Sequence, residues 1–256
     1  MRVTWPLAAR ILLAGTAATL ALTSCSSDKP ADQQVIAVSA AASLHEAFDQ
    51  IAKEFQAEHP EVQIAGINYD GSSTLATQIV EGADVDVFAS ADERTMAEVT
   101  EAGFGHEPVI FASNTLVIAV PKDNPANIGS LSDLAGASTV LCAAQVPCGN
   151  ASRQLLENAG VELKPVSEEQ NVTAVVQKVA AGEADAGLVY ASDVQDEPDL
   201  AAIVPEGADE VVNSYPIATL DQNPAAQEFL DFVISERGQE ILAEYGFGSG
   251  AAQGNG

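Results

Sequence analysis

The segment VIAVSAAASLHEAFDQIAKEF, residues 35–55, predicts a buried strand followed directly by an amphipathic helix. Its first part is a run of valine, isoleucine and alanine, typical of a strand in a protein core. In its second part Leu44, Phe48, Ile51 and Phe55 recur at intervals of four, three and four residues, which places them on one helix face. Ser43 and Glu46 have the spacing of a capping box, so we expect Ser43 at the N-cap of this helix.

The same order of strand, small polar turn and helix returns along the chain, at turns 71–74 and 147–149 and at Asn171. This alternation predicts an α/β protein with mostly parallel sheets. The strand candidates are 35–40, 62–68, 85–89, 115–120, 139–143, 186–190 and 217–220. The helix candidates are 44–57, 75–80, 94–102, 150–159, 172–181 and 224–244, the last of which we expect to break near Ser235.

Turns of this kind bring helix N-termini to the carboxyl ends of parallel strands, where ligands bind in open α/β sheets. A helix N-terminus carries unpaired N–H groups and a partial positive charge, so it can hold an anion without a cationic side chain. Each turn alone is compatible with a purely structural role. Several together indicate a site for a compact anion.

The composition excludes several classes of protein. With 10 Lys and Arg against 37 Asp and Glu, the chain of 256 residues has a formal net charge of −27, which argues against nucleic-acid binding. Hydrophobic residues make up 47% and charged residues 18%, which argues against a disordered chain. The net charge also opposes the approach of an anion, so local dipoles would have to hold it.

The N-terminus has the pattern of a bacterial export signal. Two arginines, Arg2 and Arg10, lie near an apolar run too short for a permanent membrane span. The run ends in LTSC (22–25), which resembles a lipobox, so we expect a signal peptide over 1–24 and lipidation of Cys25. The polar residues 25–32 then form a tether, and residues 249–256 are expected to be a disordered tail.

Cys142 and Cys148 remain once Cys25 is assigned to the lipid. In an oxidising compartment outside the cytoplasm, two thiols at this spacing favour a structural disulfide. A metal site or a redox-active pair is the alternative, although the spacing is not C-x-x-C and all three histidines are remote in sequence.

Six motifs in order resemble the molybdate-binding proteins of bacterial ABC importers. They are AASL (41–44), GSSTLA (71–76), ADVDVFASAD (83–92), NTLVIAVP (114–121), GLVYASD (187–193) and YGF (245–247). The resemblance runs from about Val35 to Phe247. It implies a two-lobed periplasmic-binding-protein fold of type II, with a ligand cleft between the lobes. The first lobe would comprise 33–113 and 216–248, and the second 114–215.

The resemblance also implies the function and the site. The protein would bind molybdate, and tungstate, outside the cytoplasm at the outer face of the membrane and deliver it to an ABC permease. It would be a monomer and not an enzyme, with no cofactor beyond the bound oxyanion. The ligand-binding residues carried over from the family are two hydroxyls, two backbone N–H groups and a phenol: Ser43, Ser72, Cys148, Val172 and Tyr190. Cys148 departs from the small residue, often alanine, of the relatives, which a backbone donor tolerates.

Other functions stay open on the sequence. The same fold could bind sulfate, phosphate or Fe³⁺, the last through its four tyrosines, Tyr69, Tyr190, Tyr215 and Tyr245. An exported thiol oxidoreductase could use Cys142 and Cys148. Three aspartates, Asp84, Asp86 and Asp92, could form a metal or acid–base cluster, but carboxylates that cap neighbouring turns are more common.

Overall fold

The computed structural model describes residues 34–105, 107–195 and 197–250. Its strands are β1 (Gln34–Ala41), β2 (Val62–Asp70), β3 (Val87–Ala89), β4 (Val109–Pro121), β5 (Thr139–Cys142), β6 (Ser167–Glu169), β7 (Ala186–Tyr190), β8 (Leu200–Ile203), β9 (Val212–Thr219) and β10 (Gly248–Ser249). Its α-helices are α1 (His45–Glu58), α2 (Ser72–Val80), α3 (Glu93–Glu101), α4 (Pro147–Asn158), α5 (Val172–Ala180), α6 (Pro224–Ile234) and α7 (Glu236–Glu244).

The sheet is mixed, and the expectation of mostly parallel sheets needs this correction. The strands follow the order β2-β1-β3-β9-β4-β7-β5-β6, and β8 and β10 also pair with β4. The outer pairs β1–β2, β1–β3, β5–β6 and β5–β7 are parallel. All pairs that include β4 or β9 are antiparallel, and these two long strands lie side by side in the middle of the sheet.

The buried side chains form cores on two sides of these central strands. Two of the cores are built by residues within 36–112 and 215–247, and we call this part the first lobe. The third core is built by residues within 116–211, which we call the second lobe. The predicted apolar face is confirmed: Leu44, directly before α1, and the three predicted side chains within α1 are fully buried, and Phe55 packs against Phe229 with ring centroids 5.3 Å apart. The α/β class is confirmed as well.

Most predicted elements are present, with different ends. Strand β9 starts five residues before the predicted 217, and β4 six residues before the predicted 115. The break at Ser235 is confirmed, since its side chain caps α7 by accepting from the Gly238 N–H at 3.2 Å. Strands β6, β8 and β10 were not predicted. Ser249 belongs to β10 and pairs with Ala112, so the expected disordered tail is wrong at that residue.

The predicted signal peptide, the lipidated Cys25 and the tether lie outside the described residues, as do residues 251–256. Within the part of the chain that is described, no helix is both long and apolar enough to span a bilayer.

Candidate functional site

All five predicted ligand-binding residues line one small cavity where the two lobes meet. Its walls also include Ala41, Ala42, Gly71, Ala91, Val146, Pro147 and Asn171. Ser43 and Ser72 come from the first lobe, whereas Cys148, Val172 and Tyr190 come from the second. The structure therefore brings together groups that are up to 147 residues apart in the sequence.

Ser43 does not cap α1, so the predicted capping box is wrong. A short 3-10 helix, Ala42–Leu44, precedes α1, and the N-cap position falls on Leu44, which makes no side-chain cap. The Ser43 Oγ instead lies 3.0 Å from the hydroxyl of Tyr215. A long-range partner displaces the local one, and the serine faces the cavity rather than its own helix.

Ser72 is the first residue of α2, three residues earlier than the helix was predicted to start. Its side chain is buried, and its Oγ accepts a hydrogen bond from the backbone N–H of Ala91 at 3.0 Å. Because an N–H can only donate, the hydroxyl hydrogen of Ser72 remains available to a ligand.

Cys148 is the second residue of α4, after Pro147 at the first position. The first backbone bond of this helix runs from Asn150 N to Val146 O at 2.9 Å, so the Cys148 N–H has no acceptor within the helix. The disulfide with Cys142 is formed, as the structural interpretation predicted, and joins the end of β5 to the start of α4. A Cβ added at Gly149 would lie 1.9 Å from the Ala143 carbonyl oxygen, which explains the glycine.

Val172 opens α5, as predicted, and offers its backbone N–H at the first position. Asn171 caps the helix, since its Oδ1 accepts from the Ala174 N–H at 3.0 Å. The Nδ2 of the same side chain donates to Asp70 Oδ1 across the cleft at 2.9 Å. Asn171 thus orders the N-terminus that faces the cavity and ties it to the other lobe.

Tyr190, at the end of β7, is almost fully buried. Burial raises the pKa of its phenol well above the usual value, so the hydroxyl stays protonated at neutral pH. Its oxygen accepts a hydrogen bond of 3.0 Å from the Nδ2 of Asn213. Tyr215, two residues further along β9, is also buried, and its ring centroid lies 5.9 Å from that of Tyr190.

The sequence did not predict that Asn213 and Tyr215 support the site: Tyr215 was considered only as a ligand of Fe³⁺, and Asn213 was not considered. In the structure they contact Tyr190 and Ser43. The strand was predicted to start at residue 217, after the polar stretch NSY (213–215). The spacing of these two residues could have indicated it, because polar side chains two residues apart on one strand point to the same side of the sheet. Polar residues facing a core need partners, and these two find them beside the cavity.

No lysine, arginine or histidine occurs among the described residues that line the cavity. Arg153, the nearest cation in the predicted motifs, is half exposed and pairs with Glu168 at 2.7 Å. Two of the three aspartates accept backbone hydrogen bonds: Asp92 caps α3 by accepting from the Thr95 N–H at 2.8 Å, and Asp86 accepts from the Ala37 N–H in β1 at 2.6 Å. The cavity is therefore lined by neutral donors.

Direct contacts also join the lobes beside the cavity. The carbonyl oxygen of Gln145 accepts from Ser73 Oγ at 2.9 Å and from Arg94 Nη2 at 2.7 Å. A Cβ added at Gly71 would lie 2.1 Å from the carbonyl oxygen of Gln170. The lobes are thus in close contact in this structure.

Residues 36–248 match the sequence profile of a family described as bacterial extracellular solute-binding protein. The molybdate-binding protein ModA of Mycobacterium tuberculosis is 44% identical over 243 residues, which cover 88% of this chain and 92% of that protein.

Solved structures show the same fold. The periplasmic molybdate-binding protein of Azotobacter vinelandii superposes with a TM-score of 0.72 at 20% identity, covering 83% of this chain and 98% of that one. The sulfate-binding protein SubI of Mycobacterium tuberculosis superposes with a TM-score of 0.68 at 16% identity, covering 86% and 88%. Since the fold alone accommodates different anions, the sequence relationship carries the assignment: the chain belongs to the family of bacterial extracellular solute-binding proteins.

Proposed function

We propose that this protein binds molybdate, and tungstate, outside the cytoplasm and delivers the anion to an ABC-type membrane importer. The observation that carries the proposal is the cavity itself, where Ser43, Ser72 and Tyr190 hydroxyls meet the N-termini of α4 and α5. The 44% identity to a molybdate-binding protein supports this choice of anion.

The donor set suits a dianion that has lost its water. Burying such a charge is unfavourable unless its oxygens are fully hydrogen-bonded. Backbone N–H groups and neutral hydroxyls supply those bonds in fixed positions, and the helix dipoles add a favourable field. Selection among tetrahedral dianions then depends on the spacing of the donors, because a smaller anion such as sulfate would form longer and weaker bonds.

We propose that binding is coupled to closure of the two lobes. Ser43 and Ser72 lie on one side of the cleft and Cys148, Val172 and Tyr190 on the other. A ligand that contacts both sets favours the closed form, since only that form offers all the donors. The permease would recognise the closed form. A lipid on Cys25 would keep the protein at the membrane. We propose that the protein acts as a monomer.

The competing functions fit the site less well. Fe³⁺ binding would need tyrosinates, whereas burial raises the pKa of both Tyr190 and Tyr215. A thiol oxidoreductase needs an accessible cysteine, and Cys142 and Cys148 are both buried. We therefore propose a binding protein without enzymatic activity and without a cofactor.

A ligand panel tests the proposal. Protein stripped of anions is mixed with molybdate, tungstate, sulfate, phosphate or Fe³⁺, and unfolding temperature and heat of binding are measured. Molybdate and tungstate should raise the unfolding temperature, because a ligand at a hundred times its Kd adds about 2.7 kcal/mol to the stability of the folded state. If neither anion changes the unfolding temperature or gives a heat of binding, the proposal is wrong. A larger increase with sulfate, phosphate or Fe³⁺ would identify that ion as the ligand instead of molybdate.

A further inference from the structure

A histidine and two glutamates meet at the end of α1 that lies away from the anion cavity. The Nδ1 atom of His59 lies 3.5 Å from Oε1 of Glu61 and 3.6 Å from Oε2 of Glu228. One donor atom from each of the three side chains lies within 4.8 Å of the other two. His59 directly follows α1, Glu61 directly precedes β2, and Glu228 lies in α6. The fold of the first lobe thus brings together three possible metal ligands from three elements.

The distances suit a shared metal ion better than direct hydrogen bonds. Hydrogen bonds between nitrogen and oxygen are usually about 2.7–3.2 Å long, and both distances from His59 are longer. A tetrahedral zinc ion holds histidine nitrogen and carboxylate oxygen at about 2.0–2.2 Å, which places neighbouring ligand atoms about 3.3–3.6 Å apart. The spacing around His59 Nδ1 therefore matches that of ligands on one zinc ion.

The backbone fixes the spacing of His59 and Glu61. The Val62 N–H donates to the carbonyl oxygen of His59 at 3.0 Å and closes a turn in which Pro60 is the second residue. The proline ring restricts the backbone of this turn. The carbonyl oxygen of Glu61 also accepts from the Gln34 N–H of β1 at 2.9 Å. Because these bonds form without an ion, little order has to be gained when an ion binds.

Aromatic packing holds the third ligand beside the first. The imidazole of His59 stacks on Phe55, with ring centroids 4.5 Å apart and an angle of 24° between the planes. Phe55 in turn packs against Phe229, which is the neighbour of Glu228 in α6. Both phenylalanines are fully buried. The two helices are therefore fixed against each other where His59 and Glu228 meet.

The charges at this place favour a cation. Among the described residues, Glu61 and Glu228 form ion pairs with His59 alone, so no lysine or arginine neutralises them there. His59 is also the C-cap of α1, where the helix dipole favours positive charge. A site with an imidazole nitrogen suits zinc-like ions, whereas Mg²⁺ and Ca²⁺ prefer oxygen ligands.

We propose that His59, Glu61 and Glu228 bind a divalent transition-metal ion, with Zn²⁺ as the best match to these ligands. The ion ties the end of α1 to β2 and α6 and thereby stabilises the first lobe. Helix α1 has 14 residues and is about 21 Å long, and Ser43 lies just before its other end. The metal site is therefore separate from the anion cavity and does not depend on which anion the cavity holds.

A zinc titration of variants tests this site in the absence of molybdate. All proteins carry Cys25→Ser, so that this thiol cannot compete for zinc, and they are prepared without an affinity tag and stripped of metal with EDTA. His59→Gln and Glu228→Gln each remove one ligand and keep a polar side chain. His45→Gln is the matched control, because His45 is an exposed histidine that lies 3.7 Å from the carboxylate of Asp49. Calorimetry with Zn²⁺ and with Mg²⁺ measures the affinities.

The parent protein and His45→Gln should bind Zn²⁺ with equal affinity, and Mg²⁺ more weakly. In His59→Gln and Glu228→Gln the Zn²⁺ affinity should fall by more than about tenfold, since even residues that only support metal ligands contribute about tenfold to a hundredfold. Zn²⁺ should also raise the unfolding temperature of the parent more than that of either variant.

Equal Zn²⁺ affinity in the parent, His59→Gln and Glu228→Gln would overturn the inference. Binding of Mg²⁺ as tightly as Zn²⁺ would do the same, because the nitrogen ligand would then contribute nothing. If His59→Gln does not fold, Glu228→Gln decides, since residue 228 is an exposed position of α6.

Discussion

At the scale of single residues, the sequence predicts which side chains face the cavity but not what holds them. Ser43 shows the difference. Its local pattern predicts a helix cap, whereas its hydroxyl lies beside Tyr215, 172 residues away. Local spacing cannot reveal such a partner, because the pairing depends on how β9 is placed against β4 and β3. Ser72 and Val172 come from the resemblance, and both lie at the first position of a helix in the structure, although only Val172 was predicted there.

The hydroxyl of Ser72 should contribute directly to ligand binding. In Ser72→Ala the anion loses one donor, so we expect calorimetric affinity for molybdate to fall by about tenfold to a hundredfold. The Ala91 N–H also loses its acceptor, which should lower the free energy of unfolding by about 1–3 kcal/mol. Thr77→Ala on the exposed side of α2 is the control, and equal affinities for the two variants would contradict the role of Ser72.

Asp193 should make the stability of the ligand-free protein depend on pH. Burial raises the pKa of its carboxyl to about 7, from 3.8. Between these values the folded state binds the proton and the unfolded state has lost it, so the free energy of unfolding falls as pH rises from about 4 to about 7. The slope reaches at most about 1.4 kcal/mol per pH unit.

Asp193→Asn removes this titration and keeps an oxygen that can accept from the Tyr190 N–H. Urea unfolding at several pH values between 4 and 7 measures the effect. The variant should show a smaller decline in stability across this range than the original protein. Asp199→Asn, at an exposed position, should behave like the original, and parallel curves for all three proteins would refute the prediction.

At the scale of elements, strands and helices were predictable where apolar periodicity is strong, as in α1. Their ends were harder, because they depend on contacts outside the element. Helix α4 starts three residues before the predicted 150, at a Pro147 that the sequence assigns to a turn. The disulfide and the close approach of Gly149 to Ala143 fix that start. Strand β6 has only three residues, all of them polar, so no pattern indicates it.

The disulfide between β5 and α4 should support the geometry of the Cys148 N–H. The Cys142→Ser, Cys148→Ser double variant should lose about 2 kcal/mol of unfolding free energy, the value expected for so short a loop. It should also bind molybdate more weakly, because the first turn of α4 is no longer tied to the strand. Calorimetry below the unfolding temperature measures both proteins, with Cys25→Ser as the control. Unchanged affinity in the double variant would show that the turn holds its shape without the bond.

At the scale of the whole molecule, the resemblance implies two lobes that join near residues 113 and 215, but not that two continuous strands form the connection. The sequence predicts short strands near residues 115 and 217. The structure has β4 and β9 running on through both regions, with Ala112 paired to Tyr215 and Ser113 to Ser214. Polar residues interrupt the apolar pattern there, so a sequence-based search ends the strands early. Those polar residues include the ones that support the cavity.

Closure of the cleft should depend on the absence of a side chain at Gly71. Its backbone angles, φ −58° and ψ 131°, suit any residue, so Gly71→Ala should leave the fold intact. In the closed form the new Cβ would lie 2.1 Å from the Gln170 carbonyl oxygen on the other lobe, and backbone atoms there cannot turn away. We expect molybdate affinity to fall by roughly fivefold to a hundredfold, which corresponds to about 1–3 kcal/mol of overpacking. X-ray scattering should also show a smaller ligand-induced decrease in the radius of gyration.

Gly136→Ala is the matched control, because a Cβ at Gly136 meets open space. If Gly71→Ala binds molybdate and contracts as Gly136→Ala does, the bound form is more open at this point than the structure described here.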